Sequence, residues 1–180
     1  MAGRVKNTSL AATKPLLPLY EAVVNSVQAI QDAQRGQGRI DIAILRDSNH
    51  LFIEQEPGFG EITGFEVSDN EVGFNEDNYR AFETSDTTYK AQRGGRGVGR
   101  FLWLVAFERV EVTSHFKQDG KIRRRCFEFV SEDDGVRGMA VTDSKENELS
   151  TKVHLIGYQT KYQQQCPKKL ETIPRTEVRL

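Results

Sequence analysis

The residues best suited to chemistry begin with a glycine-rich run in the middle of the chain. Four of the six residues from Gly94 to Gly99 are glycine, and an apolar segment follows from Phe101. Glycine lets backbone N–H groups approach a ligand closely, and the start of a helix leaves such groups unpaired with a partial positive charge. The run therefore predicts a phosphate-binding loop, with a turn that binds no ligand as the alternative.

The spacing of this run does not fit two common phosphate-binding loops. A P-loop ends in Gly-Lys-Ser or Gly-Lys-Thr, and neither occurs in the sequence. A dinucleotide-binding fingerprint needs G-x-G-x-x-G directly after a strand. Here G-x-G-x-G follows the polar segment 83–93. A different kind of phosphate site is therefore predicted.

Charge changes sign at the glycine run. Residues 54–86 contain ten acidic residues and one basic residue, whereas residues 90–100 contain four basic residues and no acidic one. Positive charge at this point suits a polyphosphate, and solvated loop side chains are the alternative. The whole chain has 180 residues and a net charge of −1, so no overall field attracts nucleic acid or a membrane surface.

Three further polar groups lie where chemistry could use them. Glu21 and Asn25 are one turn apart on a predicted helix, so they share a face, and together they can orient a water and offer oxygen ligands to Mg²⁺. Asp69 ends a predicted strand shortly before Gly73, and a half-buried carboxylate there can accept a hydrogen bond from the amino group of adenine. Thr151 leads into the last predicted strand. For each group alone, an ordinary solvated helix face or turn is the alternative.

Several classes of protein are not indicated. The two cysteines are far apart and the three histidines are scattered, so we predict neither a disulfide framework nor a zinc site. The strongly apolar run 101–107 is too short to cross a bilayer, and residues 1–14 contain no secretory signal core. We expect a cytoplasmic protein that does not bind membranes.

The predicted elements give an α+β fold: a two-layer α/β sandwich with a mixed, mostly antiparallel sheet and helices on one face. Consecutive strands joined by short turns in the last third predict the antiparallel pairing. Residues 1–14 are expected to be flexible, 15–157 to form the domain, and 158–180 to be a tail or linker toward a missing C-terminal region. Three- and four-residue apolar spacing predicts a helix at 15–34, Asn75 can cap a short helix through about 82, and a further helix is predicted at 98–107. Alternation predicts a strand at 39–44, and further strands are predicted at 51–54, 61–68, 109–116, 121–130, 136–142 and 152–157.

In this order and spacing, the motifs resemble those of the GHKL ATPases (gyrase B, the ninety-kilodalton heat-shock chaperone, histidine kinases and MutL), whose nucleotide-binding unit is the Bergerat fold. Residues 21–26 resemble the N box E-x-x-x-N, 69–74 resemble D-x-G-x-G, 95–99 resemble the second glycine box, and Ser150-Thr151 resembles a late Gly-Thr pair. Glu71 stands where the family usually has the first glycine of D-x-G-x-G, which puts the shape of the adenine side in doubt.

The resemblance implies a role for each matched position. Asp69 would bind the adenine amino group with support from Thr151, and Gly73 would belong to the same nucleotide-binding set. Asn25 would ligate Mg²⁺, and Glu21 would polarise the attacking water. Residues 83–93 would form a lid over ATP or ADP, with Lys90 near the terminal phosphate. The remaining phosphate contacts would come from the backbone amides of Gly95, Gly97, Val98 and Gly99.

The resemblance therefore implies an ATP-binding, Mg²⁺-dependent ATPase module of the gyrase B, chaperone or MutL type, which acts as a conformational switch and dimerises with nucleotide in the longer protein. We expect slow hydrolysis, because a second domain often supplies an active-site lysine in such proteins. A histidine-kinase catalytic domain and a non-hydrolysing regulatory module are alternatives. The basic run from Lys121 to Arg125 leaves nucleic-acid binding open, although we expect Arg123 and Arg125 to decorate an exposed strand face.

Overall fold

The computed structural model describes residues 2–33, 37–47, 60–83, 99–132, 135–167 and 176–179. The predicted strand at 51–54 lies outside these residues. The helices are α1 (Ala2–Lys6), α2 (Leu17–Ala33), α3 (Glu76–Glu83), α4 (Gly99–Ala106) and α5 (Thr160–Gln163). The strands are β1 (Gln37–Arg46), β2 (Ile62–Asp69), β3 (Phe107–Gln118), β4 (Lys121–Phe129), β5 (Val136–Asp143), β6 (Ser150–Tyr158) and β7 (Thr176–Arg179).

The seven strands form one sheet in the order β5-β4-β3-β6-β2-β1-β7, and every pairing between them is antiparallel. One face carries the core. There the inward positions of β2, β3 and β6, such as Phe65, Val110 and Leu155, are completely buried. The other face carries partly exposed ion pairs such as Lys152–Glu66. The α+β fold with a largely antiparallel sheet is therefore confirmed.

The helices α2 and α4 lie together on the core face. The buried residues of α2 recur at three- and four-residue spacing, which gives the helix one apolar stripe. The indole N–H of Trp103 on α4 donates to the carbonyl of Pro18 at 3.0 Å, so the start of α2 is fixed against α4. The predicted cap of α3 is also present, because the side chain of Asn75 accepts from the N–H of Asn78 at 2.9 Å.

Both ends of the chain contain elements that the sequence pattern did not indicate. Residues Ala2–Lys6 form a short helix, and the buried residue Leu10 accepts a hydrogen bond from the hydroxyl of Tyr162. The strand Thr176–Arg179 pairs with β1 at the sheet edge. Short elements of this kind depend on tertiary contacts rather than on periodicity. In the described parts of the chain, no helix combines the length and apolar character needed to span a bilayer.

Candidate functional site

A row of polar residues crosses the core face of the sheet. Arg125 on β4 is the cross-strand partner of Ser114 on β3, Ser114 faces Thr151 on β6, and Thr151 faces Asp69 on β2. All four residues are buried. Because polar groups are costly to bury without hydrogen bonds, each member of this polar row must be satisfied by its neighbours or by a ligand.

Asp69 ends β2 beneath helix α2. Its Oδ2 accepts a 2.7 Å hydrogen bond from the hydroxyl of Ser26, and its Oδ1 accepts from the N–H of Glu71 at 3.3 Å. Burial raises the pKa of Asp69 from 3.8 to about 6, although hydrogen bonds from Ser26 and from the backbone of Glu71 and Thr151 oppose that rise. Ionised Asp69 is thus a buried acceptor with little solvent around it.

The turn after Asp69 requires glycine at residue 73. Gly73 has a φ of +74°, and a Cβ added there would lie 2.6 Å from the hydroxyl of Ser114 and 2.8 Å from the carbonyl of His115. The next N–H, that of Phe74, donates to Ser114 Oγ at 2.8 Å. The turn therefore packs against β3 so closely that residue 73 has no room for a side chain.

Arg125 holds the far end of the same turn. Its Nη1 donates to the carbonyls of Phe74 and Asn75, both at 3.0 Å, and its Nη2 donates to Glu76 Oε2 at 2.8 Å. The guanidinium also lies over the ring of Tyr79, 4.5 Å from the centroid. Arg125 thus fixes the start of α3 and the turn that follows Asp69.

A second group of contacts lies at the start of helix α4. Gly99 is its first residue, and a Cβ added to Gly99 would collide with the carboxylate of Glu21. The acidic side chain from α2 therefore lies against a helix N-terminus, where unpaired N–H groups favour negative charge. Because Glu21 and Ser26 are five residues apart on α2, the helix separates their backbone positions by about 7.5 Å along its axis.

The architecture matches two solved structures of the ATPase region of Saccharomyces cerevisiae topoisomerase II, one of them bound to ICRF-187 (dexrazoxane). The TM-scores are 0.54 and 0.55 at 16% sequence identity, and the matches cover 81% and 82% of this chain. The chain has the Bergerat fold. It spans 38% and 39% of the length of those two chains. No protein-family profile and no curated protein matches the sequence.

The Bergerat fold gathers the described members of the predicted site into two groups. Gly73 and Thr151 lie against Ser114, Asp69 is the cross-strand neighbour of Thr151, and Glu21 meets Gly99. Asn25 is half-buried on α2, next to Ser26. Other predicted members lie outside the described residues, namely Lys90, Gly95, Gly97, Val98 and the lid positions 84–93. The nucleotide roles assigned to all these positions stay predictions.

Sequence reasoning missed three contributors to this region of the Bergerat fold. Ser26 lies in the N-box segment, but the motif gives it no role. Ser114 was detectable as a polar residue at an inward position of an otherwise apolar strand face. The expectation that Arg125 is exposed was wrong: it is 4% exposed, because its side of β4 faces the core, whereas Arg124 on the opposite side is exposed. Arg123, on the side of Arg125, is half-buried near the strand end.

Glu71 departs from the family pattern and is almost completely buried. Its backbone N–H binds the Asp69 carboxylate, so a residue at this position contributes to the site through its main chain whatever its side chain. The positive φ that the turn needs is supplied two residues later by Gly73.

Proposed function

We propose that this chain is an ATP-binding module that hydrolyses ATP slowly in the presence of Mg²⁺. The observation that carries the proposal is the buried carboxylate of Asp69, held by Ser26 of α2, while Glu21 of the same helix lies against the start of α4. One helix thereby links an acceptor suited to a purine amino group with a helix N-terminus suited to phosphate.

The residues on the adenine side fit this role. The Asp69 carboxylate accepts hydrogen bonds from Ser26 and from the backbone of Glu71 and Thr151, which leaves one of its four lone pairs for a ligand. Asp69 and Thr151 are each 7% exposed, so both keep a small accessible surface. A carboxylate accepts from the amino group of adenine but repels the carbonyl oxygen that guanine has at the same ring position. The site therefore favours adenine nucleotides.

The residues at the start of α4 and on the neighbouring part of α2 are suited to slow hydrolysis of ATP. The backbone amide of Gly99 at the helix start would face phosphate, and Asn25 would offer Mg²⁺ an oxygen ligand. When bound, Mg²⁺ would neutralise phosphate charge. Glu21 would orient the attacking water and act as its general base. The contributions of Lys90, Gly95, Gly97 and Val98 belong to the same proposal and rest on the motif alone.

The test is calorimetric titration of the chain with ATP and Mg²⁺, combined with a steady-state turnover assay. Wild type is expected to bind ATP. Asp69→Asn is expected to abolish binding because an amide presents a donor where the adenine amino group needs an acceptor. Glu21→Ala is expected to keep binding and lose turnover. The matched control for Asp69 is Glu66→Gln, which changes a carboxylate on the opposite face of β2 and should leave the affinity unchanged.

The possible results separate the functions under consideration. Asp69-dependent binding without any turnover supports a non-hydrolysing regulatory module instead of an ATPase. Transfer of labelled phosphate to a separate histidine-bearing domain supports the histidine-kinase alternative. Turnover of about 10 per second, the median for complete enzymes, contradicts the expectation of a slow module. ATP binding that is absent, or that Asp69→Asn leaves intact, rejects the proposal.

A further inference from the structure

Ser114 makes three contacts with its single hydroxyl group. It accepts from the N–H of Phe74 at 2.8 Å, donates to the carbonyl of Ser150 at 3.1 Å, and lies 3.1 Å from the hydroxyl of Thr151. The side chain of Ser114 is completely buried, so water does not compete for these contacts. Nothing in the motif pattern assigns this residue a role.

Because Ser114 has a single hydroxyl proton, its other contacts determine which residue donates the hydrogen bond between Ser114 and Thr151. A hydroxyl has one proton and two lone pairs. The carbonyl of Ser150 cannot donate, so the proton of Ser114 goes to that carbonyl. The first lone pair of Ser114 accepts from Phe74, and only the second remains for Thr151. All three contacts form together only when Thr151 donates its proton to Ser114.

This direction determines what Thr151 offers to a ligand. With its proton committed to Ser114, Thr151 Oγ1 has only lone pairs left, and its cross-strand neighbour Asp69 is also an acceptor when ionised. Two neighbouring acceptors suit a group with two donors, such as the amino group at position 6 of adenine. They repel the carbonyl oxygen of a 6-oxopurine. Without Ser114, the Thr151 hydroxyl can rotate and donate to that oxygen.

We propose that Ser114 is a positioning residue that holds the Thr151 hydroxyl as an acceptor and so makes the site prefer a 6-aminopurine to a 6-oxopurine. This inference rests on the proposed ATP-binding function. Ser114 acts through Thr151 rather than by touching the nucleotide. Its second effect, on the turn at Phe74, contributes to affinity for both kinds of purine and does not alter the preference between them.

The experiment compares the affinities of ATP and inosine triphosphate, which differ in having an amino group or a carbonyl at position 6. Ser114→Ala is expected to narrow the ratio of the two affinities by about threefold to tenfold, which corresponds to one neutral hydrogen bond. Ser114→Cys is expected to narrow it similarly, because a thiol is a poor partner, and it keeps the shape of the buried side chain. Thr113→Val is the matched control, since it removes a hydroxyl from the same strand on the opposite sheet face.

A double-mutant cycle separates this role from a general structural one. Thr151→Val should narrow the ratio by itself, and adding Ser114→Ala to it should narrow the ratio no further. An unchanged ratio in both Ser114 variants, or additive effects in the double variant, overturns the inference. If wild type binds ATP through Asp69 but the Ser114 variants leave the ratio of ATP affinity to inosine triphosphate affinity unchanged, only this inference fails. If wild type binds no ATP, the proposed function fails with it.

Discussion

The hydroxyl of Ser26 donates a 2.7 Å hydrogen bond to Oδ2 of Asp69, joining helix α2 to the end of strand β2 across 43 residues of sequence. This bond stabilises the ionised carboxylate, but burial outweighs it and the pKa of Asp69 still rises to about 6. Burial of this ionised carboxylate therefore lowers the stability of the folded protein relative to a neutral group at the same position. A residue maintained against stability in this way is a candidate for binding.

Replacing Asp69 with asparagine should stabilise the ligand-free protein at pH 7.5 by about 2 kcal/mol. The folded pKa of about 6 is above the unfolded value of 3.8, so the folded state binds more protons between these values. The contribution of Asp69 to the free energy of unfolding therefore decreases as pH rises between these two pKa values, by at most about 3 kcal/mol. Urea unfolding of both proteins at pH 7.5 and pH 4.5 measures the difference, which should shrink at the lower pH. An equal difference in stability between the two proteins at both pH values would contradict the burial argument.

The affinity for adenine ligands should fall as Asp69 becomes protonated. With a pKa of about 6, the ionised fraction falls to roughly a quarter at pH 5.5, so the affinity for ATP should decrease about fourfold between pH 7.5 and pH 5.5. Titrations at the two pH values measure this change. Adenosine is the control ligand because it has no phosphate that titrates in this range. If adenosine binds equally well at both pH values, protonation of Asp69 does not govern recognition of the base.

The Gly99→Ala variant should fold but lose turnover by about tenfold or more. Its new Cβ would collide with the carboxylate of Glu21, which lies at the end of a flexible side chain and can rotate away. We expect a change of less than about 1 kcal/mol in the free energy of unfolding, because the flexible side chain of Glu21 can move aside. We expect a large kinetic effect, because catalysis depends on the position of the carboxylate. Stopped assays of phosphate release measure turnover. Gly99→Ala should cause no further loss in the residual turnover of Glu21→Ala, and an additional loss there would refute the mechanism.

Arg125→Met should lower the free energy of unfolding by about 3 kcal/mol. It leaves the carbonyls of Phe74 and Asn75 without the guanidinium that binds them and removes the cation from the ring of Tyr79. Arg123→Met on the same strand is the matched control. Its ion pair with the exposed Asp143 should contribute less than about 1 kcal/mol. Chemical denaturation measures both variants, and equal effects would show that Arg125 does not anchor the turn.

The sequence by itself determined individual helices and strands, and it showed which polar site residues lie at their ends. Apolar spacing predicted α2 within two residues at its start, and Asn75 predicted the cap of α3, because both depend on neighbours within one helical turn. Alternation also placed Arg123 and Arg125 on the same side of β4 and Arg124 on the other. The position of Asp69 at the end of a strand followed from the change to polar residues and glycine.

Only the tertiary structure decided which polar groups meet. The polar row exists because the registers of β2, β3, β4 and β6 align Asp69, Thr151, Ser114 and Arg125, and register is set by pairing between segments far apart in the chain. The same pairing determines that the side of β4 with Arg125 faces the core, which alternation alone cannot tell. Partners such as Ser26 and Asp69 depend on how α2 packs on the sheet, and no local pattern records that contact.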